Sequence, residues 1–242
     1  RPAEILSIAS HPELMGDEKL GEHAMRRFLP ERWNPSGLPL DSMGVSCNEY
    51  ACPHCHCKLP PFFTETHQHI ISLVGVPAAG KSYFLTSMVS ELETLFPREF
   101  GMPFRDADPV TNEPLNEMRM RIFTAASPQD AYIGKQQLQQ HLSRRVWMDG
   151  SYVKMPRPFI YTLNRGARAH SIVLYNNPAD NSPTHSTDYL KVADALFFLF
   201  DPTSNPGFRS LLKHIEDPQI QQCLTPPGRQ ALLLSDTEMK LR

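Results

Sequence analysis

The sequence has no apolar run long enough to cross a bilayer. Its most strongly apolar stretch, "ALFFLF" at Ala195 to Phe200, is bracketed by Asp194 and Asp201 and falls far short of the roughly 20 residues a membrane helix needs. It also lacks a basic excess: 24 Lys and Arg stand against 26 Asp and Glu, a net charge of −2, which argues against a nucleic-acid partner. No basic leader followed by an apolar core opens the chain, so "RPAEILSIASHPEL" does not read as a secretory signal, and a cytoplasmic protein without a membrane span is expected. A disulfide framework is not expected either. Of five cysteines, Cys47, Cys52, Cys55 and Cys57 crowd together while Cys223 stands apart, and such clustering in a cytosolic chain points to metal. The 242 residues suffice for one large α/β domain and a small appendage. A start at Arg and a stop in "LLLSDTEMKLR", mid-helix in pattern, read as a piece of a longer polypeptide.

Residues 1–61 are rich in Pro, Gly and polar residues, with one helix-like segment around "LGEHAMRRFL" and the cysteines at the end, and read as a small metal-stapled module. The pattern then changes, and residues 62–242 read as the main domain. Ile70, Ile71, Leu73 and Val74 make a short buried strand; Phe84, Leu85, Met88, Val89, Leu92 and Phe96 recur at helical spacing until Pro97, where the helix is expected to end. A polar, mostly helical insertion follows at about 100–155, with "LNEMRMRIF" and "GKQQLQQHLSRRVW" as its candidate helices. "RPFIYTLN" and "AHSIVLYN", joined by "RGAR", predict an antiparallel hairpin. "DALFFLFDP" predicts a further strand ending in an acid, and "PGFRSLLKHIED" an amphipathic helix.

Between Gly75 and Ser82 the spacing is G-x-x-x-x-G-K-S, the P-loop pattern, in which backbone N–H groups and a helix N-terminus wrap a triphosphate. From average glycine usage the pattern arises by accident in roughly one in a hundred chains of this length. A buried strand feeding Gly75 and a helix beginning at Lys81 supply the context the motif demands. Gly75 and Gly80 permit close backbone approach, so the loop Gly75, Val76, Pro77, Ala78, Ala79, Gly80, Lys81, Ser82 and Tyr83 can wrap phosphate with the N–H groups of its non-proline residues. Pro77 removes one donor and stiffens the loop. Lys81 would reach the β- and γ-phosphates, and the Ser82 hydroxyl would coordinate Mg²⁺.

In the cysteine cluster, "CPHC" at Cys52 to Cys55 has the form of a zinc-knuckle turn. Cys47 is a third candidate ligand and Cys57 or His56 a fourth. A closed four-ligand set would make Zn²⁺ structural. His67 and His69 beside the first strand read as surface or core histidines.

A P-loop strand and helix, a hairpin, and a second apolar strand ending in Asp201 resemble the core of the TRAFAC-class P-loop GTPases. More specifically, "HPEL…GD…LG…RRFLPERWNPSGLPLD", "ACPHCHCKLP", "IISLVGVPAAGKSYFLTSM", "LYNNPADN" and "ADALFFLFDPT" resemble the zinc-ribbon-bearing double-GTPases of bacterial conflict and anti-phage defence systems. The resemblance implies an α/β three-layer sandwich with one antiparallel strand, preceded by a zinc-ribbon-like module whose second Cys pair could lie upstream of Arg1. It implies a Mg²⁺-dependent GTP switch with protein partners in a multiprotein assembly.

The family's D-x-x-G motif falls on Asn176, Asn177, Pro178 and Ala179, so an amide replaces the acid and an alanine the glycine that meets the γ-phosphate. Both changes weaken the expectation of hydrolysis, with Asp180 as a stand-in acid beside Lys81. Asp201 matches the aspartate ending the family's fourth strand more closely than a metal-binding acid. Neither Thr111 nor Thr124 is singled out as a switch threonine; either could cap a helix or turn. No N/T-K-x-D motif occurs, so GTP rests on resemblance and ATP stays open. Two other readings are a hydrolysis-deficient pseudo-GTPase scaffold and a zinc-ribbon nucleic-acid adaptor, the latter opposed by the charge.

Overall fold

The structure is a computed structural model that describes residues 6–8, 15–60, 62–77, 79–127, 129–133, 142–148, 150–165, 168–177, 188–201 and 206–214. These residues fall into two compact units. One contains the first 66 residues together with 145–155, and the other contains the rest.

The first unit is built from very short strands. β1 (Leu6–Ile8) lies between β4 (Arg27–Phe28) and β7 (Tyr50–Ala51), antiparallel to both. β2 (Met15–Asp17) and β3 (Gly21–Met25) form a hairpin, as do β5 (Arg32–Trp33) and β6 (Pro39–Leu40). The helix expected around "LGEHAMRRFL" is therefore absent: the segment supplies β3 and β4. Gly21 takes a φ of 102°, and Lys19 and Leu20 donate their N–H groups to Asp17 Oδ1, so the chain reverses at this point instead of coiling.

The second unit is a mixed α/β domain around a five-stranded sheet ordered β14-β8-β13-β12-β9. β8 (His67–Val74) leads through residues 75–80 into α1 (Lys81–Phe100). β9 (Phe104–Asp106) and α2 (Pro109–Thr124) follow; β10 (Ser143–Met148) and β11 (Ser151–Pro156) come next in the chain, pair as a separate two-stranded sheet and fall almost wholly in the first unit. β12 (Pro158–Arg165) and β13 (Arg168–Asn176) make the expected hairpin, with Phe159 opposite Leu174 and Tyr161 opposite Ile172. α3 (Asp188–Lys191), β14 (Ala195–Phe198) and α4 (Pro206–Leu212) close the described chain. β13 and β14 run parallel to β8 on either side of it, and β12 runs antiparallel to both its neighbours.

Period-2 burial explains the sheet and period-3.6 burial the helices. Leu73 on β8, Leu174 on β13 and Phe159 and Tyr161 on β12 meet Leu85 and Val89 of α1 and Leu115 of α2, all nearly inaccessible to solvent. Each such side chain contributes about 2 kcal/mol on burial. Phe104 stacks on Tyr161 with ring centroids 4.9 Å apart, extending this core onto the edge strand. Asn112 of α2 is wholly buried; its Nδ2 donates to Ile160 O (2.7 Å) and its Oδ1 accepts from Ile160 N (2.8 Å), locking the helix to β12.

Pro97 does not end α1. It lies within the last turn, and the helix stops at Gly101, whose left-handed backbone lets its own N–H bond Pro97 O and the N–H of Met102 bond Phe96 O. The expected helix over "GKQQLQQHLSRRVW" is also overturned at its C-terminal end, because Ser143 to Met148 form β10, while residues 134–141 lie outside the described residues. Arg144, Arg145, Val146 and Trp147 lie on β10, which pairs with β11, and Trp147 packs edge-on to Tyr152 at 4.8 Å.

Candidate functional site

Three parallel strands, β8, β13 and β14, end along one edge of the sheet. Ligands of open α/β sheets gather at such carboxyl-terminal edges. The residues singled out from the sequence lie there. Gly75 follows β8, Asn176 ends β13, and Leu199 to Asp201 follow β14.

Gly75 is required sterically. Its φ is 150°, and a Cβ on it would sit 2.0 Å from the carbonyl oxygen of Leu199, whose own N–H is bonded to Val74 O. Val76 and Ala79 close the loop with a 3.3 Å bond, and Gly80 enters α1 with a left-handed φ of 80°. A twenty-residue helix then begins, with the uncapped N–H groups of its first turn at the loop.

Lys81 is buried, and its Nζ donates to Gly75 O (2.8 Å) and Val76 O (3.0 Å). Burial holds its pKa below the ordinary lysine value, so a bound anion would be a better partner than two neutral carbonyls. Ser82 Oγ accepts a 2.9 Å hydrogen bond from Nδ2 of buried Asn176. The two residues are therefore together, 94 positions apart in the chain. A hydroxyl and an amide are hard oxygen donors suited to Mg²⁺, the amide after a half-turn of its side chain.

Tyr83 points elsewhere: its hydroxyl bonds with Ala131 O and Ile133 N. Val76 and Pro77 lie in the loop itself, whereas Ala78, Ala179 and Asp180 lie outside the described residues. Thr111 bonds to Asp108 at the start of α2 and Thr124 to Met120 O at its end, both local helix-end contacts.

In the first unit, the Cys52 to Cys55 turn is closed by His56 N–H on Cys52 O (2.8 Å) and Cys52 N–H on Cys57 O (2.9 Å). His56 takes the left-handed φ (57°) that glycine normally occupies. A hydrogen bond with the Cys55 thiol, followed by burial, drives the Cys52 thiol above its ordinary range; the N–H groups of Cys55 and His54 pull the other way. Cys55 is bonded to both Cys52 and Cys57. Cys47 is buried with Sγ toward Val45 O at 3.7 Å. Among the described residues no three His, Cys, Asp or Glu side chains are gathered closely enough to hold a metal. His56 Nδ1 is committed to Asp17, at 3.0 and 2.9 Å from its two carboxylate oxygens, leaving Nε2 as the ring atom open to a metal.

Sequence reasoning missed His170. Strand register sets it opposite His67, and its Nδ1 lies 3.0 Å from His69 Nε2, so the three rings cluster at the start of β8 and β13. Alternating histidines on one strand were the only available signal. Their partner becomes visible only with the parallel register.

No known family profile matches the chain, and no solved structure matches it. The chain is 25% identical over 173 residues to SaeC of Mycolicibacterium smegmatis, described as a candidate ESX-1 scaffolding and assembly protein. That match takes in 70% of this chain and 42% of the relative, so the chain spans less than half the relative's length.

Asp17 provides a pH test of the first unit. Burial alone would raise its pKa, but the Lys19 N–H, His56 and the Arg27 N–H outweigh that and hold it below the usual 3.8. A depressed carboxylate pKa gives stability that is complete above the unfolded value and lost as pH falls through the folded one. Acid titration followed by circular dichroism should show wild-type stability falling below about pH 4, with Asp17→Asn less stable at pH 7 and lacking that component of the acid loss.

Proposed function

We propose that this chain is a nucleoside-triphosphate-binding, GTPase-like switch domain, with an N-terminal zinc-ribbon-like module, that works inside a bacterial multiprotein assembly. The observation that carries the reading is the meeting of Lys81, Ser82 and Asn176 around the Gly75–Gly80 loop at the carboxyl edge of parallel strands. Loop and helix N–H groups would hold the β-phosphate, and Lys81 would exchange the Gly75 and Val76 carbonyls for phosphate oxygens. Mg²⁺, held on Ser82, would supply charge neutralisation at the β- and γ-phosphates. The sheet, with β12 alone antiparallel, supports the GTPase-like three-layer assignment, and GTP is the preferred nucleotide on resemblance.

A second reading has specific support. Asn176 brings a neutral amide to the place where the resembling family carries an acid, and a relative is described as a candidate scaffolding and assembly protein. A nucleotide-held scaffold with little turnover would use the same loop. Either way the expected partners are proteins.

Calorimetry with GTP and ATP in Mg²⁺, followed by phosphate release on the same sample, tests both readings. Wild type should bind, and Lys81→Ala should weaken binding at least about tenfold through loss of a charge-assisted bond. Turnover lost in Lys81→Ala supports the switch; binding without turnover supports the scaffold; no binding by wild type overturns both.

The cysteine turn makes a separate prediction. Its backbone N–H groups are aimed at sulfur as a thiolate–metal site needs, so purified chain should carry about one zinc, lost in Cys52→Ser. Metal-free chain with unchanged stability would remove the zinc proposal.

A further inference from the structure

The end of β13 is gripped from both faces. Side chains alternate along a strand, so Asn176 faces Ser82 while its neighbours Tyr175 and Asn177 share the opposite face. On that face stands Tyr189 of α3, which is buried. Its hydroxyl donates to Asn177 Oδ1 at 2.6 Å, and its ring lies 4.8 Å from that of Tyr175. Burial, with the neighbouring Tyr175 acting in the same sense, raises the Tyr189 pKa, so the phenol stays a donor across the accessible pH range.

The chain that follows α3 is anchored to β8. Asp194, shortly after α3, donates its N–H to Ile70 O (2.8 Å), and its Oδ2 accepts from Ile70 N (2.7 Å). Asn177 N–H is bonded to Leu73 O (3.0 Å), continuing the parallel ladder one residue past β13. The Asn176–Asn177 pair is therefore tied to β8, to Ser82 and to Tyr189 at once.

Resting on the nucleotide-binding reading above, we infer that Tyr189 is a positioning residue for that site: through Asn177 it fixes Asn176 against Ser82 and so sets how well the site distinguishes triphosphate from diphosphate. Ser82 and Lys81 are the residues that address the terminal phosphates and their cation. A change in how Asn176 is held therefore falls on the triphosphate first, while the β-phosphate keeps its backbone N–H groups.

The test uses fluorescent GTP and GDP analogues with Mg²⁺, and compares dissociation rates for wild type, Tyr189→Phe, Asn177→Ala and the double variant, each with a thermal melt. Tyr189→Phe keeps the ring against Tyr175 and removes only the O–H. It should speed GTP-analogue release about fivefold, the equivalent of one ordinary hydrogen bond, and leave GDP-analogue release within about twofold. The double variant should match Asn177→Ala, since both substitutions break one contact. Unchanged GTP-analogue release in Tyr189→Phe overturns the inference and leaves nucleotide binding intact. Equal acceleration of both analogues, or additive effects in the double variant, reduces Tyr189 to a structural role and also overturns it. A wild type that binds neither analogue overturns the nucleotide reading, and this inference with it.

Discussion

The carbonyl of Leu199 stands where a side chain on residue 75 would have to be. A Cβ there would come within 2.0 Å of it, so the chain leaving β8 can cross the end of β14 only as glycine. That close approach brings the loop down onto the sheet edge and directs it into α1, whose first turn carries Lys81 and Ser82. With the loop pressed against β14 on one side, Asn176 at the end of β13 reaches Ser82 from the other.

The polar groups of this neighbourhood are satisfied among themselves. Lys81 is bonded to two loop carbonyls, and Ser82 to an amide. The neutral Asn176–Ser82 bond contributes about 1 kcal/mol, and an ammonium bonded to carbonyls is held less strongly than one bonded to an ionised acceptor. On the proposed reading, Lys81 would exchange these carbonyls for phosphate oxygens. Leu73 on β8 and Leu85 and Val89 on α1, the strand and helix that flank the loop, are buried together in the core.

Much of the sheet was legible because its signals are local. The apolar run at Ile70 to Val74, the glycine spacing, and the paired segments around "RGAR" each specify their element without help from distant residues. Where tertiary context decides, local pattern points to the wrong element. "LGEHAMRRFL" has helical apolar spacing, yet Asp17 captures the Lys19 and Leu20 N–H groups and forces a hairpin. Pro97 is tolerated inside α1 because the helix has only one turn left before Gly101 supplies a better stop. The contact of Asn176 with Ser82 was approachable only through resemblance, and Tyr189 not at all, since a tyrosine in a polar stretch gives no sign of the partner it will meet. The same holds for His170, which strand register alone brings to His69.

Binding of a triphosphate by the Gly75–Ser82 loop, as proposed, is measured most directly by backbone hydrogen exchange along the chain with and without GTP and Mg²⁺. The backbone amides between Gly75 and Tyr83 should exchange at least about tenfold more slowly when nucleotide is present, with much smaller changes in α2 and in the first 60 residues. Exchange in that segment that does not change at saturating nucleotide would contradict it.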